Sequence, residues 1–413
     1  MRKYVYGLLA LLVVVGVATG LYFKREIERA SFAASLFSGA EQYEYFNRLA
    51  DLYPVATMKA AQTPFEFPDG KQATLPTSFT YKGRTIDTET FLSETDTSAI
   101  LVLKEGKVRA EQYRLTGGRD VNWLSMSVAK SFISAAIGIA IEEGHLGSIE
   151  EPVTKYVPSL AGSAYDGVRI KDILQMSSGA RWNEDYNDPN SDINRFGRIM
   201  ALGGSFNEFA ATLEREREPG TKNHYNSTDT QVLGMLLVNA TGRTIADYME
   251  EKLWQPLGME SDAYWLIDSQ DMEMAFGGLN ATARDYAKLG ELYRNGGMWN
   301  GKQIVPAEWV RASVTPDAPH LLPETKIAEN DPFPVGYGYQ WWIPKSVESE
   351  FSAIGVYNQF IYVNPAEGLV IVKLSANSDY ATSLDESAYR EMETIEFFRA
   401  IATSLNMADA NVH

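Results

Sequence analysis

Strand-forming segments stand near both ends of the working part of this chain, with a long helical stretch between them. That order constrains the fold more than any other feature. "AILVLKEGKVRAEQYRL" reads as a hairpin, with an apolar strand over Ala99–Leu103, a turn at Lys104-Glu105-Gly106, and alternation from Val108 to Tyr113. From Ser127 to about Trp309 apolar residues recur at helical spacing, and "TDTQVLGMLLVNATG" and "ARDYAKLGELYRNGG" each stop at a glycine. Strands return in "YGYQWWI", "QFIYVNP" and "GLVIVKLS", before a last helix, "ESAYREMETIEFFRAIATSL". The pattern predicts one antiparallel sheet built from both chain ends and covered by a large helical subdomain, an α+β fold.

The N-terminus makes a separate statement. Residues 4–23 carry no charge after Met1-Arg2-Lys3, and about 20 helical residues at ~1.5 Å each span roughly the hydrocarbon core of a bilayer. Arg2 and Lys3 outweigh the mixed charges after Phe23, so the N-terminus is expected inside and the rest outside the cytoplasm, in the cell envelope or periplasm. Residues 1–30 are therefore read as a signal anchor. The alternative is a cleaved signal peptide, with Ala18-Thr19-Gly20 as a poor small-residue site, which would give a secreted form. Residues 31–98, broken by Pro64, Pro68 and Pro76, form an extension of unclear role. The working domain covers 99–405, and 406–413 is expected to be a flexible tail.

Composition removes several classes of function. With 54 acidic against 37 basic residues, the formal net charge of −17 argues against nucleic-acid binding. The absence of cysteine excludes a thiol nucleophile, a disulfide scaffold and a cysteine zinc site. His145, His224, His320 and His413 are dispersed without metal-ligand spacing, so neither metal nor cofactor is expected. No G-x-S-x-G elbow is present. Oligomeric state is not legible.

Chemistry concentrates at "SMSVAKSF", which opens the apolar run "SFISAAIGIAI". Between Asp120 and Glu142, Lys130 is the sole charged residue. Ser127 and Lys130 stand three apart, which on a helix puts both side chains on one face. An amine in apolar surroundings loses hydration of its charged form and titrates lower, giving a general base beside a nucleophile. Read in isolation, the same spacing also describes an N-cap serine and a lysine snorkelling from a first helical turn. A second constellation lies in "EPGTKNHYNSTDTQVLG", where Tyr225 precedes the box Thr228-x-x-Gln231. At a helix N-terminus the dipole lowers the cost of a phenolate, and a tyrosine there could relay a proton.

Taken in order, "SVAK", "ILQMSSG" and "YNS" resemble the serine β-lactamase and penicillin-recognising superfamily, nearest its class C and esterase-like branch. "LQMSSGARWNEDYNDPNSD", "GGLNATARDYAKLGELYRNGG" and "AIGVYNQFIYVNPAEGLVIVKLS" are similar to the nylon-oligomer (6-aminohexanoate-dimer) hydrolase type, and the likeness runs from about Ser98 to Ser404. The resemblance implies the β-lactamase/penicillin-binding-protein fold, Ser127 as nucleophile, Lys130 as its base and Tyr225 as proton relay. It implies an oxyanion hole from the backbone N–H groups of Ser127 and Val356, with Gly355 letting substrate approach the strand. Tyr186, Asp192 and Asn226 are the implied substrate contacts. Two departures stand out. Ala353 supplies no cation where β-lactamases and carboxypeptidases hold a substrate carboxylate, and Tyr225-Asn226-Ser227 replaces the commoner Tyr-x-Asn. Both point to a serine esterase or amidase acting on a small, less charged substrate. A β-lactamase or D-amino-acid peptidase of the same fold, or a non-catalytic envelope binding protein, are the alternatives.

Overall fold

A computed structural model describes residues 2–35, 42–323, 335–346, 349–383 and 386–410. Both chain ends meet in one seven-stranded antiparallel sheet, as the strand distribution predicts. Its spatial order is Val335–Tyr337, Trp342–Pro344, Phe351–Gly355, Gln359–Asn364, Leu369–Ser375, Thr97–Lys104 and Lys107–Tyr113. The first and last parts of the chain join where Leu369–Ser375 pairs with Thr97–Lys104, Ile371 lying opposite Val102.

These two strands are buried on both faces, which is why they read as continuous apolar runs rather than alternating ones. Ile100, Val102 and Ile371 face the closing helix Glu391–Ala410 through Phe397, Phe398 and Ile401. Leu101, Leu103, Val370 and Val372 face the helical side. There the helix Ala283–Arg294 comes so close that a Cβ on Gly290 would stand 2.6 Å from Val370 and 2.8 Å from Ile361.

On that helical side lies the helix Ala129–Glu142, packed against Ser227–Thr241 and buried on every face. Full burial of Phe132, Ile133 and Ile137 stabilises it by about 1.5–3 kcal/mol each. A second sheet, ordered Val55–Met58, Ala263–Leu266, Leu279–Ala281 and Trp123–Leu124, leads the chain into this helix.

The proline-broken extension is woven into the domain. Val55–Met58 pairs with Ala263–Leu266, and the Gln42 amide donates to the carbonyls of Ala376 and Asn377, both at 3.1 Å. The described part of the expected tail is also held: its helix runs to Ala410, and Asp409 receives two bonds from the Arg109 guanidinium, at 2.8 and 3.0 Å, while 411–413 lie outside the described residues. At the other end, the 4–23 run lies in the helix Arg2–Ser35. The side chains at 4, 5, 8, 9 and 22 lie outside the described residues, while those from Ala10 to Leu21 are exposed. Among the described residues no helix is long and apolar enough to cross a membrane, so the structure lends the expected span no support.

Candidate active site

Ser127 stands where Trp123–Leu124 turns into the buried helix. The turn is tied on both sides, Leu124 N–H donating to Phe46 O at 3.0 Å and Ser125 N–H to Leu279 O at 2.8 Å. Met126 is held at φ 46°, a costly value for a residue with a side chain. Ser127 follows in a single 3-10 turn, Met126–Val128, before the α-helix begins.

Lys130 does not snorkel; it is 2 % exposed. Its ammonium donates to Phe276 O at 2.7 Å, Ser127 Oγ at 2.9 Å and Ser227 Oγ at 3.2 Å. Each acceptor is neutral, so burial dominates and brings the amine down to about 7, with the Glu184 carboxylate drawing it upward. Near neutral pH a large fraction of the enzyme therefore holds an unprotonated amine 2.9 Å from the serine hydroxyl.

Glu184 and Ser227 are the residues that sequence reasoning missed. Ser227 Oγ donates to Glu184 Oε1 at 2.6 Å while accepting from Lys130, and Ser227 N–H donates to Oε2 at 3.1 Å. Tyr186 OH donates to Oε1 at 2.8 Å, and the Trp182 indole N–H donates to Oε2. The carboxylate thus stands one hydroxyl away from the base. Ser227 occupies the third position of the Tyr225-Asn226-Ser227 motif, the one signal that could have found it.

Tyr225 lies beside this pair, its ring centre 5.2 Å from Lys130 Nζ. It stacks on Trp342, with centroids 5.2 Å apart and planes inclined by 25°. Burial, then the Glu184 carboxylate, pushes its phenol well above the ordinary range, while the Ser127 hydroxyl pulls the other way. The helix dipole, expected to ease a phenolate here, is outweighed. Tyr225 keeps its proton at neutral pH and is suited to giving one up only to a strongly basic leaving group.

On the opposite side the strand Phe351–Gly355 ends against the nucleophile. A Cβ on Gly355 would stand 2.6 Å from Ser125 O and 3.0 Å from Ser127 N, so only glycine lets the strand approach this closely. Val356 follows in a tight turn with Tyr357 and Asn358 at φ 62° and 66°, braced by the Gln359 amide bonding Val356 O and Tyr357 O. The N–H groups of Ser127 and Val356 therefore belong to neighbouring, rigidly held segments. Ala353 shares the face of Gly355, two residues along, and is buried without bringing a cation.

Tyr186 lines a cleft to which Met126, the residue before Ser127, also contributes. Asn226 does not: it is buried, and its amide oxygen caps the following helix by accepting from Thr228 N–H at 2.8 Å. Asp192 is buried too, accepting from Asn183 N–H at 2.9 Å and pairing with Arg195 at 3.1 Å. Structure-building bonds thus occupy the Asn226 amide oxygen and the Asp192 carboxylate. His224 bonds the Trp182 carbonyl through Nε2 at 2.9 Å, joining the two loops that carry Tyr225 and Glu184. Among the described residues no cluster could hold a metal ion.

An antiparallel sheet, a buried helix headed by serine and lysine, and a tyrosine facing them define the class of penicillin-recognising serine hydrolases. The beta-lactamase family model matches residues 92–395, and the chain belongs to that family. A 6-aminohexanoate-dimer hydrolase from Paenarthrobacter ureafaciens is 33% identical over 344 residues, covering 81% of this chain and 85% of that protein. Among solved structures, a Bacillus anthracis protein provisionally called a 6-aminohexanoate-dimer hydrolase superposes with a TM-score of 0.79 at 22% identity. It covers 90% of this chain and 96% of its own. A family VIII carboxylesterase gives a TM-score of 0.55 at 14% identity, over 75% of this chain and 92% of its own. The chain is a serine hydrolase acting on amide or ester bonds.

Proposed function

We propose that hydrolysis proceeds through an acyl-enzyme on Ser127. The observation that carries this reading is the 2.9 Å bond between Ser127 Oγ and an amine whose burial brings it to about 7. Neutral Lys130 takes the serine proton as Oγ attacks the carbonyl, and the N–H groups of Ser127 and Val356 receive the oxyanion. The C–O or C–N bond then breaks as Tyr225 protonates the departing alcohol or amine and is itself reprotonated by the Lys130 ammonium, which returns Lys130 to its neutral form. Water, deprotonated by Lys130, releases the acid and restores the serine. Glu184 and Ser227 hold Lys130 in place and set its basicity.

The preferred substrate is a small ester or amide of the kind that the name of the Paenarthrobacter relative describes, a linear aliphatic amide. The buried Ala353 disfavours the second reading, a β-lactamase or D-amino-acid peptidase, since a missing charge-assisted hydrogen bond costs about 1.5–3 kcal/mol. The N-terminal helix is the anchor and the domain works outside the cytoplasm, a reading supported by the uncharged run 4–23 and by Arg2 and Lys3 before it. Carbonate extraction and protease accessibility of the full chain test that placement; release by carbonate sinks it. Hydrolysis of p-nitrophenyl esters by the wild type and by Ser127→Ala tests the chemistry. The variant should lose several orders of magnitude in kcat, and equal rates for the two would remove Ser127 as nucleophile.

A further inference from the structure

The cleft beside the nucleophile carries one charge that this chemistry leaves unused. Its volume is about 300 Å³, at the low end of the ~300–1,000 Å³ typical of small-molecule sites. Leu49, Leu124, Met126, Met200, Leu266 and Met274 give it apolar walls, three of them adaptable methionines. Among the described residues lining it, Arg198 is the single charged one.

Arg198 lies on the helix Asp192–Leu202 and is exposed at the cleft. It donates through Nη1 to Pro189 O at 2.6 Å and pairs with no carboxylate among the described residues. The acids nearest in the chain are otherwise engaged. Asp192 pairs with Arg195, while Asp185 and Asp188 accept from the N–H groups of Asn187 and Asn190. Among the described residues, then, no carboxylate neutralises Arg198.

The geometry also says which half of a substrate enters. Met126, joined directly to the nucleophile, lines the cleft, whereas Tyr225, the donor to the leaving group, stacks on Trp342 outside it. The cleft therefore belongs to the acyl group that remains bonded to Ser127.

Resting on the acyl-enzyme reading, we propose that the cleft takes an aliphatic acyl chain whose far end is a carboxylate, seated on Arg198. The substrates are then half-esters or half-amides of dicarboxylic acids. The acyl carbon bonds to Ser127 Oγ as the alcohol or amine leaves with the Tyr225 proton, and water then releases the free dicarboxylic acid. The planar guanidinium suits this end group because it can grip a carboxylate with two parallel bonds.

The test compares kcat/KM for three p-nitrophenyl esters of one chain length: the hexanoate, the adipate half-ester and the ω-aminohexanoate. The wild type should prefer the adipate half-ester to the hexanoate about twofold to fivefold, the modest size expected of an exposed arginine–carboxylate pair. Arg198→Lys should keep part of the preference, Arg198→Gln should bring the adipate-to-hexanoate ratio near one, and Arg198→Glu should favour the ω-amino ester. A wild-type ratio at or below one, or a preference that survives Arg198→Gln, overturns the proposal while leaving the hydrolase reading intact. Wild-type rates no higher than those of Ser127→Ala on every ester would overturn both.

Discussion

The substitution Glu184→Gln tests the electrostatics of the base directly. The new amide oxygen can still accept from the Ser227 hydroxyl, so the bridge to Lys130 survives; the charge is lost, together with the acceptor that Ser227 N–H and the Trp182 indole N–H share. The two bonds through Ser227, laid end to end, put the carboxylate within roughly 6 Å of Lys130 Nζ. At an effective dielectric of about 20, a charge pair at that distance is worth about 2.8 kcal/mol, or about two pH units. Solvent reaching the half-buried Glu184 reduces this, so a shift of about one unit is the expected outcome. The sign follows from which form works. Activity needs the neutral amine and so rises with pH through about 7 in the wild type. Without Glu184 the ammonium loses its counter-charge and gives up its proton more readily, so the rising limb moves to lower pH. The assay is kcat/KM for p-nitrophenyl hexanoate against pH, which reports ionisations of the free enzyme. A limb that stays in place, or moves upward, would refute the argument that Glu184 sets the basicity of Lys130.

Other perturbations separate the remaining roles. Tyr225→Phe should slow hydrolysis of an alkyl amide by about 10²–10⁴ yet slow a p-nitrophenyl ester far less, because p-nitrophenolate leaves without a proton; equal losses on both would deny Tyr225 its acid role. Gly355→Ala drives a methyl group to 2.6 Å from Ser125 O and 3.0 Å from Ser127 N, so kcat should fall by about 10²–10³, the loss of one oxyanion donor, and an unchanged kcat would separate this strand from the oxyanion site. Lys373, wholly buried among Thr95, Ser375 and the Phe91 ring, has its amine held well below the ordinary range by desolvation. The unfolded chain keeps this proton to higher pH than the folded chain does, so between the lowered and the ordinary lysine range the residue makes the wild type gain stability as pH rises, by up to about 1.4 kcal/mol per unit. Lys373→Met should remove that slope just below the ordinary lysine range in urea unfolding, and parallel curves for the two proteins would falsify the burial of a neutral amine.

What could be seen in advance was what the chain writes locally. Ser127 and Lys130 are one helical turn apart, so their meeting needs no knowledge of the tertiary fold. The sheet was legible because strands over 99–113 and 335–375 have few other partners. Glu184 reaches Ser227 across 43 positions, and nothing in a run of loop residues distinguishes the acid that turns inward. Asn226 and Asp192 were misjudged for the converse reason. One sits at an N-cap and the other at the start of a helix, and bonds to nearby N–H and guanidinium groups occupied side chains expected to face substrate. Leu49, on the cleft wall, comes from the stretch to which no chemistry could be assigned. A leucine lining a pocket and a leucine filling a core carry the same signal.

The solitary lysine in an otherwise uncharged segment now has a physical reason. A carboxylate in direct contact would fix Lys130 as an ammonium and abolish the base. With no carboxylate nearby, burial would pull the amine further down and make it too weak to deprotonate a serine. Placing Glu184 one hydroxyl away satisfies both demands: Ser227 transmits the negative charge without allowing a salt bridge, and the amine titrates at about 7. Charged residues elsewhere in the segment would disturb that balance by several kcal/mol at the short distances of a packed core. The apolar composition of residues 121–141 around Lys130 is therefore a condition of the chemistry as much as of the fold.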